Sequence, residues 1–297
     1  MLPDQDFKDW FIRYAYFFSK RYTNKQKKGF LEAITADIKE FRTDIKIDRF
    51  NFCSTNYTNL YVGNVKEANK IICTNYDTAT TQILPYEYFN IKSRKKNTLL
   101  LIIVTSTIYF LFGLLFLKFI AIPIFKKNSF FSFAYITLIF FFVIYFYIFG
   151  KISKGWATRK TIKQNTSTVL TILSLSKKFK KIGNKNVAFA FLDAGCTNEA
   201  GLIQLIKKKR KSTKVFLGAN IGADSNLMEI AMDKTSLERK NIEVAKDFES
   251  DLLDENVISI ISAEQGLDGK TLILPNNRKR GSNLNYTNIN EFCKLVK

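Results

Sequence analysis

The chain contains no histidine. Histidine is the commonest transition-metal ligand and the usual general base near neutral pH. Its absence excludes Ser-His-Asp and Cys-His catalysis in their ordinary forms, together with any zinc site that uses an imidazole. The cysteines do not compensate. Cys53, Cys73, Cys196 and Cys293 are scattered, with no C-x-x-C pair, and predict buried free thiols in a reducing compartment. A glycine-rich phosphate loop is missing. Arg278-Lys279-Arg280 is too slight to mark a nucleic-acid-binding fold, and no nucleic-acid partner is expected. Acidic side chains are few: 26 Asp and Glu stand against 46 Lys and Arg, a net charge of +20. Such an excess fits an anionic partner such as lipid headgroups, or the solvated surface of a lysine-rich chain.

Long apolar runs are abundant, and they lie in the middle. The start, MLPDQDFKDW, is acidic and polar, so no secretory signal is expected there. Residues 98–125 and 130–150 are each long enough to cross roughly 30 Å of hydrocarbon as a helix. Both are apolar on every face, and only Lys126, Lys127, Asn128 and Ser129 separate them. They predict a transmembrane helical hairpin. Lys92, Arg94, Lys95 and Lys96 precede it, and Lys151, Lys154, Arg159 and Lys160 follow. This flank bias places both termini in the cytoplasm and makes the protein a two-span cell-membrane protein. Residues 1–97 and 151–297 would then lie on one side and form two halves of one domain, with 98–150 as the hairpin.

The two halves alternate helix and strand patterns. Residues 4–22 and 24–41 read as helices, with Thr23 as a cap. Strand patterns follow at 44–52, 59–65 and 70–76. After the hairpin come a helix at 165–181, an apolar strand at 186–195, a helix at 198–211 and a strand at 214–222. A helix at 237–253, strands at 257–262 and 271–275, and a helix at 288–297 complete the order. This alternation predicts an α/β three-layer sandwich with a mixed, mostly parallel sheet. The basic run Lys207–Lys211 reads as a helix end complementing the dipole, or as a contact with anionic lipid.

The strand at 70–76 runs abruptly into a polar knot, Thr74-Asn75-Tyr76-Asp77-Thr78. Three further phrases stand in a telling order around it. Asn59-Leu60-Tyr61-Val62 precedes it. Gln164-Asn165-Thr166-Ser167-Thr168-Val169 opens the helix after the hairpin. Phe189-Ala190-Phe191-Leu192-Asp193-Ala194-Gly195-Cys196 ends the next strand, and Glu199-Ala200-Gly201-Leu202 continues it. Together they resemble the di-zinc aminopeptidases of metallopeptidase family twenty-eight. The knot stands where that family writes Ala-His-Tyr-Asp-Thr, and the later phrases stand where it writes Asp-Asn-x-Ser-Gly-Val and Phe-x-Phe-x-Asp-Gly-Glu-Glu. The resemblance covers most of the sequence outside the hairpin, which it makes an insertion.

The resemblance also implies where the chemistry has gone. Asn75 takes the place of a zinc-ligating histidine, and Gln164 that of the bridging aspartate. Gly195 and Cys196 replace the Glu pair of general base and ligand. Asn220 takes a later aspartate's place, and the final histidine would fall near Lys279 or Arg280. Asp77 and Asp193 remain. A site built for two divalent cations needs about three carboxylates to balance them, and an Asn amide is a poor zinc ligand. The expectation is a degenerate site without metal, in a pseudo-peptidase that binds a peptide or a membrane-protein partner at the lipid surface. One alternative is an active enzyme with a rearranged site. It would use Asp77, Asp193, Glu199 and Asp224 as oxygen ligands, or Cys196 as a nucleophile that no histidine activates. Another is an accessory, immunity or export factor of a peptide-antibiotic system.

Overall fold

The computed structural model describes residues 5–82, 84–127, 132–153, 155, 158, 161–182, 186–242, 252–274 and 283–297. It divides into two compact units. One comprises Met1–Ala79, Leu84–Arg94 and Ala157–Lys297, and the other Thr80–Ile83 and Lys95–Trp156.

The larger unit is built on a seven-stranded sheet, ordered β1-β2-β5-β3-β6-β8-β7. Its strands are β1 (Ile45–Phe52), β2 (Thr55–Val62), β3 (Lys70–Asn75), β5 (Val187–Leu192), β6 (Lys214–Ala219), β7 (Leu227–Ala231) and β8 (Val257–Ser262). The four central strands β5, β3, β6 and β8 run parallel, and the outer pairings are antiparallel. Strands buried on both faces are apolar throughout, and β5 shows how the faces divide. Phe189 and Phe191 point into one core, while Ala188, Ala190 and Leu192 point into the other, as the two-residue period requires. A second sheet holds β4 (Tyr86–Tyr88), β10 (Leu272–Leu274) and β9 (Glu264–Gln265).

Four helices bury the aromatic face: α1 (Gln5–Ile12), α2 (Asn24–Lys39), α6 (Ser167–Ile182) and α9 (Tyr286–Leu295). Helix α1 does not run on to residue 22. It passes into a π turn at Arg13–Phe17. Thr23 caps α2 in a full capping box with Gln26, satisfying donors that a helix start leaves open. On the other face lie α7 (Ala200–Lys208), α8 (Lys234–Arg239) and the small sheet. The strand at 271–275 thus joins the small sheet, not the main one. Strands β4, β7 and β9 are short or only partly buried and give no clear alternation in sequence. The helix read at 237–253 is not formed as read: the helix there runs from Lys234 only to Arg239, and Asn241 turns the chain in left-handed backbone. Residues 243–251 lie outside the described residues, as do Arg278, Lys279 and Arg280.

Two helices are long and apolar enough to cross a membrane, Ile91–Lys127, which belongs to the smaller unit from Lys95 on, and Phe133–Ile152. The first comprises α3 (Ile91–Phe116), a π turn at Leu117–Ala121 and α4 (Ile122–Lys127). The wider turn precedes Pro123, which has no N–H to give to the carbonyl four residues back. The second is α5 (Phe133–Ile152). Tyr109 and Tyr145 stack with centroids 4.6 Å apart. The Tyr145 hydroxyl donates to the Tyr109 carbonyl at 2.9 Å, and the Tyr109 hydroxyl donates to the Tyr145 carbonyl at 3.3 Å. Gly113 leaves room for the Tyr145 hydroxyl, which a Cβ there would overlap.

Candidate functional site

The carboxyl ends of parallel strands are where α/β folds open crevices. Here β3 ends at Asn75. Gly195 and Cys196 follow β5, and Asn220 follows β6. A π turn at Ile162–Thr166, buried throughout, brings Gln164 and Asn165 alongside. These residues line one cavity of about 50 Å3, together with Tyr86, Tyr88, Phe89, Arg94, Glu199 and Ser259. Five of the seven positions singled out in sequence therefore converge: Asn75, Gln164, Gly195, Cys196 and Asn220. Asp77 and Asp193 stand outside the wall. Asp77 is buried behind it and accepts from the Gly195 and Cys196 backbone amides, each at 2.9 Å. Asp193 turns to a separate groove beside α2 and pairs with Lys27 at 2.5 Å. Asp224 is exposed, pairs with Lys163 and takes no part in the cavity.

Four non-glycine residues around the cavity hold left-handed backbone: Phe89 and Ala194 at φ 62°, Glu199 at 56° and Asn220 at 54°. Such conformations cost about a kcal/mol or more and concentrate at functional sites. Glu199 adopts its own at the N-cap of α7. This bend carries its carboxylate back over the cavity.

The site contains its own cations. Arg94, on the first turn of α3, is 3% exposed. Its Nη2 donates to Glu199 at 3.3 Å, and Nη1 donates to the Gly195 carbonyl at 2.9 Å and to the Tyr86 hydroxyl. Arg21 is fully buried. Its guanidinium donates to the Tyr76 carbonyl at 2.5 Å and to Thr166 Oγ1 at 3.0 Å. Burial pushes it down to about 10, so it stays charged near neutrality, helped by Asp77. Lys27 holds Asp193. Three carboxylates, Asp77, Asp193 and Glu199, thus face three side-chain cations.

Burial sets the protonation of the acids. The Glu199 carboxyl is pushed up to about 7, against the opposing pull of Arg94. Asp77 is raised for the same reason, with Lys27 pulling it back. Burial, and then the Asp77 charge, lifts the Cys196 thiol well above its usual range. That is the reverse of what a nucleophilic thiolate requires.

A pair of zinc ions does not fit these residues. Among the described residues no three His, Cys, Asp or Glu side chains are placed to share an ion. The carboxylates that remain are already neutralised. A side chain at 195 has no room either, because a Cβ there would overlap the Asn75 carboxamide. Arg94, Arg21 and Lys27 were not visible as site residues in sequence. Arg94 reads there as one more membrane-flank charge.

The fold is that of the zinc-dependent exopeptidases and glutaminyl cyclases. Among solved structures, the chain is similar to the glutaminyl cyclase of Porphyromonas gingivalis, with 9% identity, TM-score 0.56, and 98% and 95% of the two chains covered. It is likewise similar to the Bacteroides thetaiotaomicron glutaminyl cyclase bound to N-acetylhistamine, with 10% identity, TM-score 0.55, and coverage of 97% and 94%. A zinc-dependent exopeptidase from Parabacteroides distasonis gives 8% identity, TM-score 0.54, and coverage of 97% and 95%. No protein-family model matches the chain, and no curated protein matches it in sequence.

Proposed function

We propose that this chain is a membrane-anchored, metal-free pseudoenzyme on the exopeptidase and cyclase fold, which binds a peptide or a partner protein without cleaving it. One observation carries the reading. The three carboxylates left near the site are balanced by Arg94, Arg21 and Lys27, all buried or nearly so. A divalent ion placed among them would meet fixed positive charge at low dielectric, where repulsion is strong. The apolar hairpin is the anchor, and its flanking Lys and Arg set the larger unit in the cytoplasm. Zinc analysis and aminoacyl-substrate assays on the full chain in detergent micelles test this. We expect neither stoichiometric zinc nor turnover. Zinc at one or two equivalents with cleavage would overturn it.

A second reading rests on Glu199. A carboxyl that titrates near 7 in a cavity is suited to general acid–base work. On that reading the chain is a hydrolase with a rearranged site, and any turnover is abolished by Glu199→Gln.

A further inference from the structure

The main sheet ends at β1 in an open edge: among the described residues β1 pairs only with β2. The hairpin between the two strands fixes which backbone groups face outward. Cys53 and Ser54 both hold left-handed backbone, at φ 48° and 61°, as a two-residue type I′ turn requires. Such a turn makes the flanking residues, Phe52 and Thr55, a hydrogen-bonded pair, and these pairs recur at every second residue. The Gly63 N–H donates to the Asp44 carbonyl at 2.8 Å, in the same phase at the far end. Lys46, Asp48 and Phe50 therefore bond β2. Ile47, Arg49 and Asn51 turn their N–H and C=O groups to the open edge. Edges are commonly blunted by proline or a bulge. The 8 residues of β1 contain no proline, and their pairing with β2 is unbroken.

Two of the outward-bonding residues also border a groove of about 560 Å3. Ile47, 47% exposed, and Arg49 form one wall. Helix α2 forms the other, with Lys28, Leu31, Thr35 and Lys39 three or four residues apart on one helical face. A strand laid along β1 would send every second side chain into this groove. Its charge is basic. Lys27 is matched by Asp193, and Lys28 by Glu32 at 3.8 Å. Lys39 and Arg49 are exposed and meet no acid among the described residues. A second copy is a poor occupant, because a two-fold axis centred on this edge sets Arg49 against Arg49 or Asp48 against Asp48. Like charges directly opposite destabilise a strand pair. An acidic strand meets the free cations with the opposite sign.

We propose that β1 is a docking edge for an extended acidic segment of a partner protein, which joins the main sheet as a new edge strand. The proposal rests on the partner-binding half of the reading above and gives that binding a surface separate from the cavity.

Fluorescence polarisation on the full chain in detergent micelles tests it. The probe is a labelled peptide of the length of β1 that alternates Val and Glu, compared with the same peptide carrying Lys for Glu. The Glu peptide should bind saturably and about fivefold more tightly. An isotope-labelled carbonyl in the bound peptide should show the infrared band of paired sheet. Ile47→Pro removes an outward donor and leaves the bonds to β2, a placement that edge strands tolerate. It should weaken binding about tenfold. If that variant does not fold, Arg49→Glu decides: it should weaken the Glu peptide about fivefold and strengthen the Lys peptide. No saturable binding, equal binding of the Lys peptide, or a bound peptide without the sheet band overturns the docking edge. So does a dimer of the free chain that Ile47→Pro dissociates, since a second copy would then hold the edge. Zinc analysis and aminoacyl-substrate assays on the same sample separate the failures. Zinc with turnover, beside intact peptide docking, defeats the metal-free reading alone. An inert, zinc-free protein that leaves the Glu peptide unbound defeats the docking edge alone.

Discussion

Asn75 and Gly195 exclude each other's alternatives: the carboxamide of Asn75 fills the space that any side chain at 195 would need. Two departures from the resembled pattern, one on each of two neighbouring parallel strands' ends, are therefore a single packing solution. Gly195→Ala should cost about 1–3 kcal/mol of stability, the usual range for overpacking. Asn75→Ala introduced alongside it should return most of that loss. Urea unfolding of the two single variants and the double variant measures the coupling. Simple additivity would show that the contact is not what constrains position 195.

Glu199 gives the site a pH signature of definite sign. Its carboxyl titrates at about 7 in the folded chain, above the ordinary 4.5. A raised acid favours the folded state when protonated. Its contribution is therefore full below pH 4.5 and is lost as pH rises through 7. The swing is on the order of 3 kcal/mol. Comparing urea midpoints at pH 5 and pH 7.5, the wild type should lose more stability than Glu199→Gln over that interval. Parallel losses would show that Glu199 is not perturbed.

Cys53 is a built-in reporter of sidedness. Against the expectation of buried thiols it sits exposed at the β1–β2 turn, where no core reaches it, whereas Cys73 and Cys293 are buried and Cys196 is partly so. A membrane-impermeant maleimide should modify it in inverted vesicles and leave it unmodified in intact cells. Labelling from outside the cell would reverse the proposed orientation.

The tyrosine clasp of the hairpin predicts a coupling between Gly113 and Tyr145. Gly113→Val should weaken helix–helix packing by about 1 kcal/mol or more, in the range found for interhelical polar contacts. In a Tyr145→Ala background the same change should cost less, since the hydroxyl and the ring edge it would strike are gone. Steric-trap unfolding in bicelles reads both. An equal cost in the two backgrounds would mean that the helices pack through other residues.

The parts of the site legible in sequence are those that end apolar strands. Ile71-Ile72-Cys73 announces a buried strand, so the polar residues after it stand at the sheet's carboxyl edge. The same logic finds Gly195, Cys196 and Asn220. The cations escaped because their burial depends on packing that no local pattern records. Arg94 stands among Lys92, Lys95 and Lys96, yet those three are exposed while Arg94 is buried. Helical phase and the distant partners Tyr86, Gly195 and Glu199 decide the difference. Arg21 likewise sits in a short polar segment between helices, and only the assembled fold brings Tyr76 and Thr166 to it. Strand β7 was missed for another reason. It is an antiparallel edge strand, only partly covered, and its stability comes from pairing with β8 rather than from its own pattern.

Arg94 belongs to the helix that continues into the first apolar span. The apolar helix and the site's counter-charge thus belong to one continuous element. A shortened descendant lacking residues 91–156 would keep Glu199 but lose its guanidinium, stranding an acid in the interior. Losing that apolar helix and retaining a quiet, neutral crevice are incompatible unless Glu199 changes in the same step.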